Sequence, residues 1–294
     1  MRRLNIYLSR HYESARGSPI PRPISSADAA ELDTALRLLR GLDLPDPAAR
    51  EYFQKHLPRL ARTLTLVPRA RTSGGILELG CYMQITPFLR QWRGYSNVRG
   101  AYYGPSGRSE QRMASVRGET FEVPVDLFDA ERDRYPYSDG SFETVLACEL
   151  IEHLVRDPMH LLLECHRILE DGGWLIVTTP NIASLTSVAR VLQGYDNPQI
   201  SSAYTPRRAD DPDEIPHVRE YTAFELRAAI EAAGFQIEAL FTEPIAGLEM
   251  NRPMWNFLED NGYNTSLRGE QTYCVAVKRA DLAVTRYPRF LYSE

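Results

Sequence analysis

The sequence predicts an α/β fold in which a mostly parallel sheet is covered by helices and preceded by a helical extension. Three observations predict it. From Gly74 and Gly75 onward, short apolar runs alternate with amphipathic stretches, the pattern of a parallel sheet packed between helices. Polar residues cluster immediately after those runs, where an open α/β sheet binds its ligands. The chain has 294 residues, 43% of them hydrophobic and 25% charged, which suffices for one large core and is unlike disordered, collagenous or disulfide-scaffold compositions.

Residues 1–26, with Pro19, Pro21 and Pro23, read as an irregular arm. Over 26–67 apolar residues recur at helical spacing (Leu32, Ala35, Leu36, Leu39, then Tyr52, Phe53, Leu57, Leu60, Leu64), and Pro45 and Pro47 break the run. Residues 1–66 are therefore an arm and a two-helix extension. The runs 76–80, 98–103, 121–127, 144–148 and 174–179 read as buried strands. Thr86 is placed as a helix N-cap with Pro87 behind it, and 158–169 as an amphipathic helix stopped by Asp171, Gly172 and Gly173. Residues 182–216, with Gly194, Pro198, Pro206, Pro212 and Pro216, interrupt the βαβ period as an insertion of the kind that shapes a site. A helix over 221–233 and strands over 235–241 and 272–278 complete an α/β domain over 67–280, leaving 281–294 as a tail.

The 34 basic and 39 acidic residues give a net charge of -5, without the basic excess that phosphate-directed binding requires, so nucleic acid is disfavoured as a partner. Cys81, Cys148, Cys165 and Cys274 form no CxxC pair, which suggests a reducing compartment and neither a zinc knuckle nor a disulfide framework. The N-terminus lacks a secretory apolar core, and no run approaches the ~20 apolar residues of a membrane span. A cytoplasmic protein is the expectation.

The stretches YPYSDGSFETVLACELIEHLVRDPMHLLLECHRILEDGGWLIVTTPN (135–181) and HVREYTAFELRAAIEAAGF (217–235) are the most informative. In order and spacing, residues 75–235 resemble the class I S-adenosylmethionine-dependent methyltransferases, particularly the branch of ubiquinone-biosynthesis O-methyltransferases. The resemblance implies a Rossmann-like seven-stranded sheet, parallel except for its last strand, with helices on both faces. It implies S-adenosylmethionine as cofactor and transfer to an oxygen or nitrogen of a small-molecule, sugar or lipid-linked acceptor. It also implies cofactor contacts: Glu78, Gly80 and Cys81 after the first strand, Tyr102 at the ribose, Asp126 and Leu127 beside the adenine, and Glu149 toward the methionine end. The sequence departs from the family at Tyr82 and Gln84, where glycines usually let a ligand approach the backbone. It departs again at Tyr102, where an acid usually accepts both ribose hydroxyls. A degenerate binding or scaffold module is the competing reading, and a nicotinamide oxidoreductase fits less well. The plainer account of Glu78 and Gly80 is a strand end and a tight turn.

Glu149, Glu152 and His153 share one face if a helix starts there. Two carboxylates and an imidazole suit a divalent metal ion. The ExxEH spacing resembles that of metal-assisted relatives, among them small-RNA 2'-O-methyltransferases, and His217 stands where some of them place a further histidine. A metal set of Glu149, Glu152, His153 and His217 is one expectation. General-base catalysis by His153 or His217, supported by Glu152, is another, and a helix cap or pocket wall is the plain alternative. His160, His166 and Glu164 read as surface or interhelix residues, and Asp210, Asp211, Asp213 and Glu214 as a solvated loop. Tyr195 and Tyr204 either line an acceptor pocket or pack their loop. Met250, Met254, Trp255 and Phe257 offer an apolar surface for core packing, substrate or a homodimer.

Overall fold

The computed structural model describes residues 27–71, 74–194, 196–200, 216–245 and 251–292. The N-terminal arm, Tyr195, Tyr204, the acidic run and Met250 lie outside the described residues. Two helices open the fold, α1 (Ala27–Leu39) and α2 (Pro47–Leu66). The Asp46 carboxylate caps α2 by accepting from the Ala48 and Ala49 amides, and Pro47 stands in the first turn, where a missing N–H is harmless.

The strands are β1 (Leu42–Asp43), β2 (Gly75–Leu79), β3 (Asn97–Tyr102), β4 (Arg108–Val116), β5 (Glu119–Leu127), β6 (Phe142–Cys148), β7 (Leu169–Pro180), β8 (Phe235–Glu243) and β9 (Gln271–Lys278). They form one sheet in the order β1-β4-β5-β3-β2-β6-β7-β9-β8. Strands β5, β3, β2, β6 and β7 are mutually parallel, and β9 runs antiparallel to both of its neighbours. The expected antiparallel last strand is therefore present. The expected strand number is corrected, because the sheet has nine strands among the described residues: β4 and the two-residue β1 extend the β5 edge.

Strand β4 hides in the sequence because RSEQRMASV is mostly exposed and polar, as an edge strand that avoids aggregation should be. It is joined to β5 by Arg117 and Gly118, both left-handed (φ 51 and 81), the conformation of a two-residue hairpin turn that matches strand twist. The chain thus passes from β3 to β5 through a strand, and the βαβ rhythm breaks once.

The remaining helices are α3 (Thr86–Gln91), α4 (Pro158–Ile168), α5 (Leu185–Gln193), α6 (Ala223–Ala232) and α7 (Arg252–Asp260). The N-cap of α3 is Ile85, not Thr86 as the sequence suggests, because the Thr86 hydroxyl is drawn to Glu78 instead. Helix α5 begins the 182–216 insertion, with Ser184 as its cap and left-handed Gly194 as its stop. One sheet face, with Leu77, Leu79, Ala101, Val145 and Val177, packs against Leu161 and Leu162 of α4 and Leu226 and Ile230 of α6. The other, with Ile76, Val98, Val125, Leu146 and Ile176, packs against Leu39, Phe53, Leu57, Leu64, Phe88 and Leu89 of α1, α2 and α3. The tail returns over α4: Phe290, Leu291 and Tyr292 join the first core, while Arg286 and Tyr292 bind the α4 cap Asp157. Among the described residues no helix is long and apolar enough to cross a membrane.

Candidate functional site

Register assigns the side chains at the carboxyl edge of the sheet to its two faces. Glu78, Gly100 and Val125 lie side by side on the α2 face, and Leu79, Ala101 and Asp126 on the α4 face. Glu78 is buried and accepts a hydrogen bond from Thr86 Oγ1 at 2.6 Å. Burial, only partly opposed by its bonds to Thr86 and Cys81, pushes its carboxyl up to about 7. The next turn needs glycine: Gly80 has φ +70, and a Cβ there would meet nothing within 4 Å, so the backbone is open to an approaching ligand. Cys81 then rejoins the sheet through its amide to Ala101 O at 3.0 Å, and its sulfur packs so closely on β3 that a Cβ at Gly100 would stand 2.8 Å from it. Burial pushes this thiol up to about 12, so Cys81 is a wall and not a nucleophile.

The two tyrosines that replace family residues meet each other. Their rings are nearly perpendicular at 5.3 Å, and the Tyr102 hydroxyl donates to that of Tyr82 at 3.2 Å. Tyr82 is 64% exposed. The added strand β4 supplies Arg112, whose guanidinium lies 4.1 Å over the Tyr102 ring and donates to Cys81 O at 2.7 Å. Half-buried Leu127 packs under Gly104.

Asp126 is not brought to this group. On the opposite face its carboxylate takes both prongs of Arg99 at 3.0 Å, the Tyr137 hydroxyl at 2.8 Å and the Ser109 hydroxyl. Burial works against its charge, but the bonds from Ser109, Tyr137 and Arg99 outweigh burial and hold the carboxyl below its ordinary range. The first carboxylate beyond the end of β5 is Asp129, partly exposed, with Oδ1 accepting from the Glu131 amide at 2.9 Å. Its place two residues past an apolar run was the available sequence signal for it.

Glu149 leaves β6 with φ 50, a left-handed conformation that a non-glycine residue adopts at a cost and that the surrounding bonds must maintain. Its Oε1 accepts from Thr178 Oγ1 and Gln271 Nε2, both at 2.7 Å, and its Oε2 faces Arg59 Nη1 of α2 at 3.3 Å. The Arg59 Nε is buried without a hydrogen-bond partner. Burial disfavours the Arg59 charge, yet Glu149 and its neighbours raise the guanidinium pKa on balance. His56, one turn earlier, is driven by burial and by Arg59 down to about 4 and is neutral at pH 7.

Beyond Glu149 the chain makes a short 3-10 turn, Ile151–His153, in place of the α-helix that the ExxEH spacing suggests. Glu152 is fully buried; its Oε2 accepts from Thr179 Oγ1 at 2.9 Å, and its Oε1 has no partner. Burial, reinforced by the Glu149 charge, raises this carboxyl well above its ordinary value. The His153 and His217 rings stand perpendicular, 4.8 Å apart. The amides of Val218 and Arg219 donate to Glu152 O, which ties the end of the insertion to this turn. Glu152, His153 and His217 each offer a ligand atom within 4.8 Å of the others. Glu152, His153 and His217 thus lie together, while Glu149 turns to Arg59, Thr178 and Gln271. Behind the cluster, His217 Nδ1 bonds Glu220 Oε1 at 3.0 Å, and Glu220 Oε2 accepts from the Ile200 amide at 2.8 Å. On α4, His160 bonds Asp133 O in the loop after β5 and His166 packs on Phe235 of β8, so both meet a loop or a strand and not a second helix. Arg59, Arg112 and Glu220 are missed by sequence reasoning, for only folding brings them to the site.

A family model described as a methyltransferase domain matches residues 49–240. The chain is 32% identical over 114 residues to a Mycolicibacterium smegmatis protein named as an S-adenosylmethionine-dependent methyltransferase, a match spanning 39% of this chain and 36% of that one. It is 27% identical over 229 residues to a Mycobacterium tuberculosis protein of the same name, spanning 78% and 69%. Among solved structures it superposes with a TM-score of 0.52 and 15% identity on a chain of the Haloferax volcanii complex between the Trm112 methyltransferase activator and a methyltransferase, covering 85% of this chain and 98% of that one. At that identity the likeness is one of fold.

Proposed function

The chain belongs to the methyltransferase-domain family and is similar to S-adenosylmethionine-dependent methyltransferases, and on that premise we propose that it transfers the sulfonium methyl to an oxygen or nitrogen of a small-molecule, sugar or lipid-linked acceptor. The observation that carries the reading is the turn after β2, where left-handed Gly80 leaves open space beside the buried Glu78. The residues present fit the cofactor. Gly80 gives the nucleoside a bare backbone, Arg59 has a buried N–H unmatched and suited to a carboxylate, and Glu149 opposite it suits an ammonium. When bound, S-adenosylmethionine supplies an electrophilic methyl.

The protein's share is positioning. Arg59 and Glu149 clamp the amino-acid end, Cys81 and Leu127 wall the nucleoside, the Tyr102 hydroxyl serves the ribose, and Asp129 takes the adenine role first given to Asp126. The group of Glu152, His153 and His217 faces the acceptor and is where its proton leaves. The resemblance of 135–181 to ubiquinone-pathway enzymes favours an oxygen acceptor. The cysteines carry free thiols, Cys81 and Cys148 pushed up to about 12 by burial, which suits a reducing cytosol.

Calorimetry of the full chain with S-adenosylmethionine and S-adenosylhomocysteine tests the reading. Both should bind, and Arg59→Gln should weaken both about tenfold or more, the loss of ~1.4 kcal/mol or more that a charge-assisted bond provides. Absence of heat with either would favour a second reading, a binding module that has given up the cofactor. The observation on its side is the Tyr82–Tyr102–Arg112 stack, at the residue where the resemblance expects the ribose contact.

A further inference from the structure

We propose that the outer edge of β4 is a dimer interface at which a second copy of this chain adds its own β4, antiparallel across a two-fold axis at Gln111. Strand β4 ends the sheet save for β1, which pairs only with Val116 and Ser115. At the other end of the strand, left-handed Gly107 (φ 80) turns the chain away just before Arg108. Among the described residues nothing pairs with the outer edge of 108–114, which is open ladder.

Two independent observations fix which backbone groups that edge offers. Arg117 and Gly118 form a two-residue hairpin turn, so Val116 and Glu119 are a hydrogen-bonded pair, and the unbroken register commits the even-numbered residues of β4 to β5. On the other side the Arg117 amide donates to Gly41 O at 2.9 Å, which aims the odd-numbered residues outward. Ser109, Gln111 and Met113 therefore turn their N–H and C=O groups to solvent. An unpaired row of this kind is a template for another strand.

Length and charge select the strand that fits. The open stretch is centred on Gln111, and a copy paired about that centre uses all of it, with Arg108 opposite Ala114, Ser109 opposite Met113 and Glu110 opposite Arg112. Each Glu110 carboxylate then faces the partner's Arg112. Within one chain Arg112 Nε already donates to Glu110 Oε1 at 2.6 Å with both side chains partly exposed, so two copies close two such pairs into an alternating ring of four charges. Moving the centre by one residue loses this: about Glu110, Arg108 faces the partner's Arg112, and about Arg112 that guanidinium faces its own copy. The centre set by the gap and the centre set by charge coincide. The polar edge thus turns other strands away and admits this one in a single register. Met113, 66% exposed, is covered in the dimer by the partner's Ser109 and Gln111. The interface is isologous and closes at two copies. Because Arg112 also holds the Cys81 carbonyl and covers Tyr102, the second copy braces the turn after β2 from outside.

The experiment uses the full chain without ligand. Sedimentation velocity from about 1 to 200 µM should show a monomer–dimer equilibrium, since about six backbone hydrogen bonds on a small contact make a weak, concentration-dependent dimer. Gln111→Pro removes an outward N–H and leaves the β5 ladder whole, so it should raise the dissociation constant at least about tenfold, with the melting temperature of the dilute protein nearly unchanged. Glu110→Lys, which sets cations face to face, should weaken the dimer to a similar degree. Oxidation reads the register. In Gln111→Cys the introduced thiols stand on Cα atoms about 5.5 Å apart and should join in an inter-chain disulfide, whereas in Met113→Cys they stand about 14 Å apart and should not. The wild type, with its native cysteines, is the control. Should Gln111→Pro fail to fold, the two cysteine variants decide alone. A monomer throughout the concentration range, a dimer that Gln111→Pro leaves intact, or equal cross-linking of the two cysteine variants overturns the interface.

Discussion

Glu78 on β2 and Asp126 on β5 flank β3 near the carboxyl end of the sheet, and their surroundings drive them in opposite directions. Glu78 has one hydroxyl donor and little water, so its neutral form is favoured and its pKa rises from 4.5 to about 7. A carboxyl with a raised folded pKa holds more protons folded than unfolded, so its contribution to stability is full below about pH 4.5 and is lost as pH rises to about 7. Glu78→Gln should therefore flatten that decline: its melting temperature relative to wild type should be higher at pH 7.5 than at pH 5. Equal differences at the two pH values would refute the account. Asp126 is the reverse case, lowered in pKa, so its contribution is present above the unfolded value and disappears as acid protonates it in the folded state. Asp126→Ala strands Arg99 and should cost about 2–3 kcal/mol in urea unfolding near neutral pH, with cofactor affinity little changed. Asp129→Ala should show the opposite split, with near-normal stability and weaker cofactor binding. Loss of affinity in the Asp126 variant at unchanged stability would restore the role the sequence suggests.

At the scale of elements, the β4–β5 hairpin does what a crossover helix could not, since it brings Arg112 edge-on to the loop after β2. The guanidinium covers Tyr102 and fixes the Cys81 carbonyl, so the hairpin and the turn after β2 are one mechanical unit. Arg112→Ala should cost little in global stability, because a cation over an aromatic ring at a partly exposed site is worth only ~0.5–1 kcal/mol. It should weaken cofactor binding several-fold by freeing the turn, which calorimetry beside a melting curve would separate. Equal losses in both would mean that Arg112 serves the fold alone. The strands at 76–80, 98–103, 144–148 and 174–179 were legible because apolar residues buried on both faces leave continuous apolar runs. Strand β4 was not, since an edge strand with eight of nine residues exposed or half-buried carries no such signature. Helix α5 was masked by its place among prolines and glycine, and the 3-10 turn after Glu149 by a spacing that a helix would also produce. Glu152 and His153 drew notice because they follow an apolar run directly, whereas only folding brings His217, beyond the insertion after β7, beside them. Arg59 and Glu220 were not legible, because an arginine on an amphipathic helix and a glutamate beside a histidine are ordinary until packing buries them.

At the scale of the molecule, the extension and the tail look alike in sequence, as flanks of a catalytic domain, but they differ in what they cover. Helices α1 and α2 form the outer layer of the core on one sheet face and carry Arg59 to the site. Leu39, Phe53, Leu57, Leu60 and Leu64 are all buried there. At ~1.5–3 kcal/mol for each large apolar side chain, their burial is worth roughly 8–15 kcal/mol, as much as the whole net stability of a domain. The tail instead adds Phe290, Leu291 and Tyr292 as half-buried packing, together with bonds from Arg286 and Tyr292 to the α4 cap. A chain begun at residue 67 should therefore fail to fold, giving no cooperative melt and binding a hydrophobic dye, because Ile76, Val98 and Phe88 would face water. A chain ended at residue 284 should fold and melt cooperatively, with a stability loss of about 1–3 kcal/mol, the scale of a lost helix cap and its hydrogen bonds. Differential scanning calorimetry on the two truncations decides the matter. A cooperative transition in the chain that lacks α1 and α2 would show that the sheet closes its own core and that the extension is an accessory of the site.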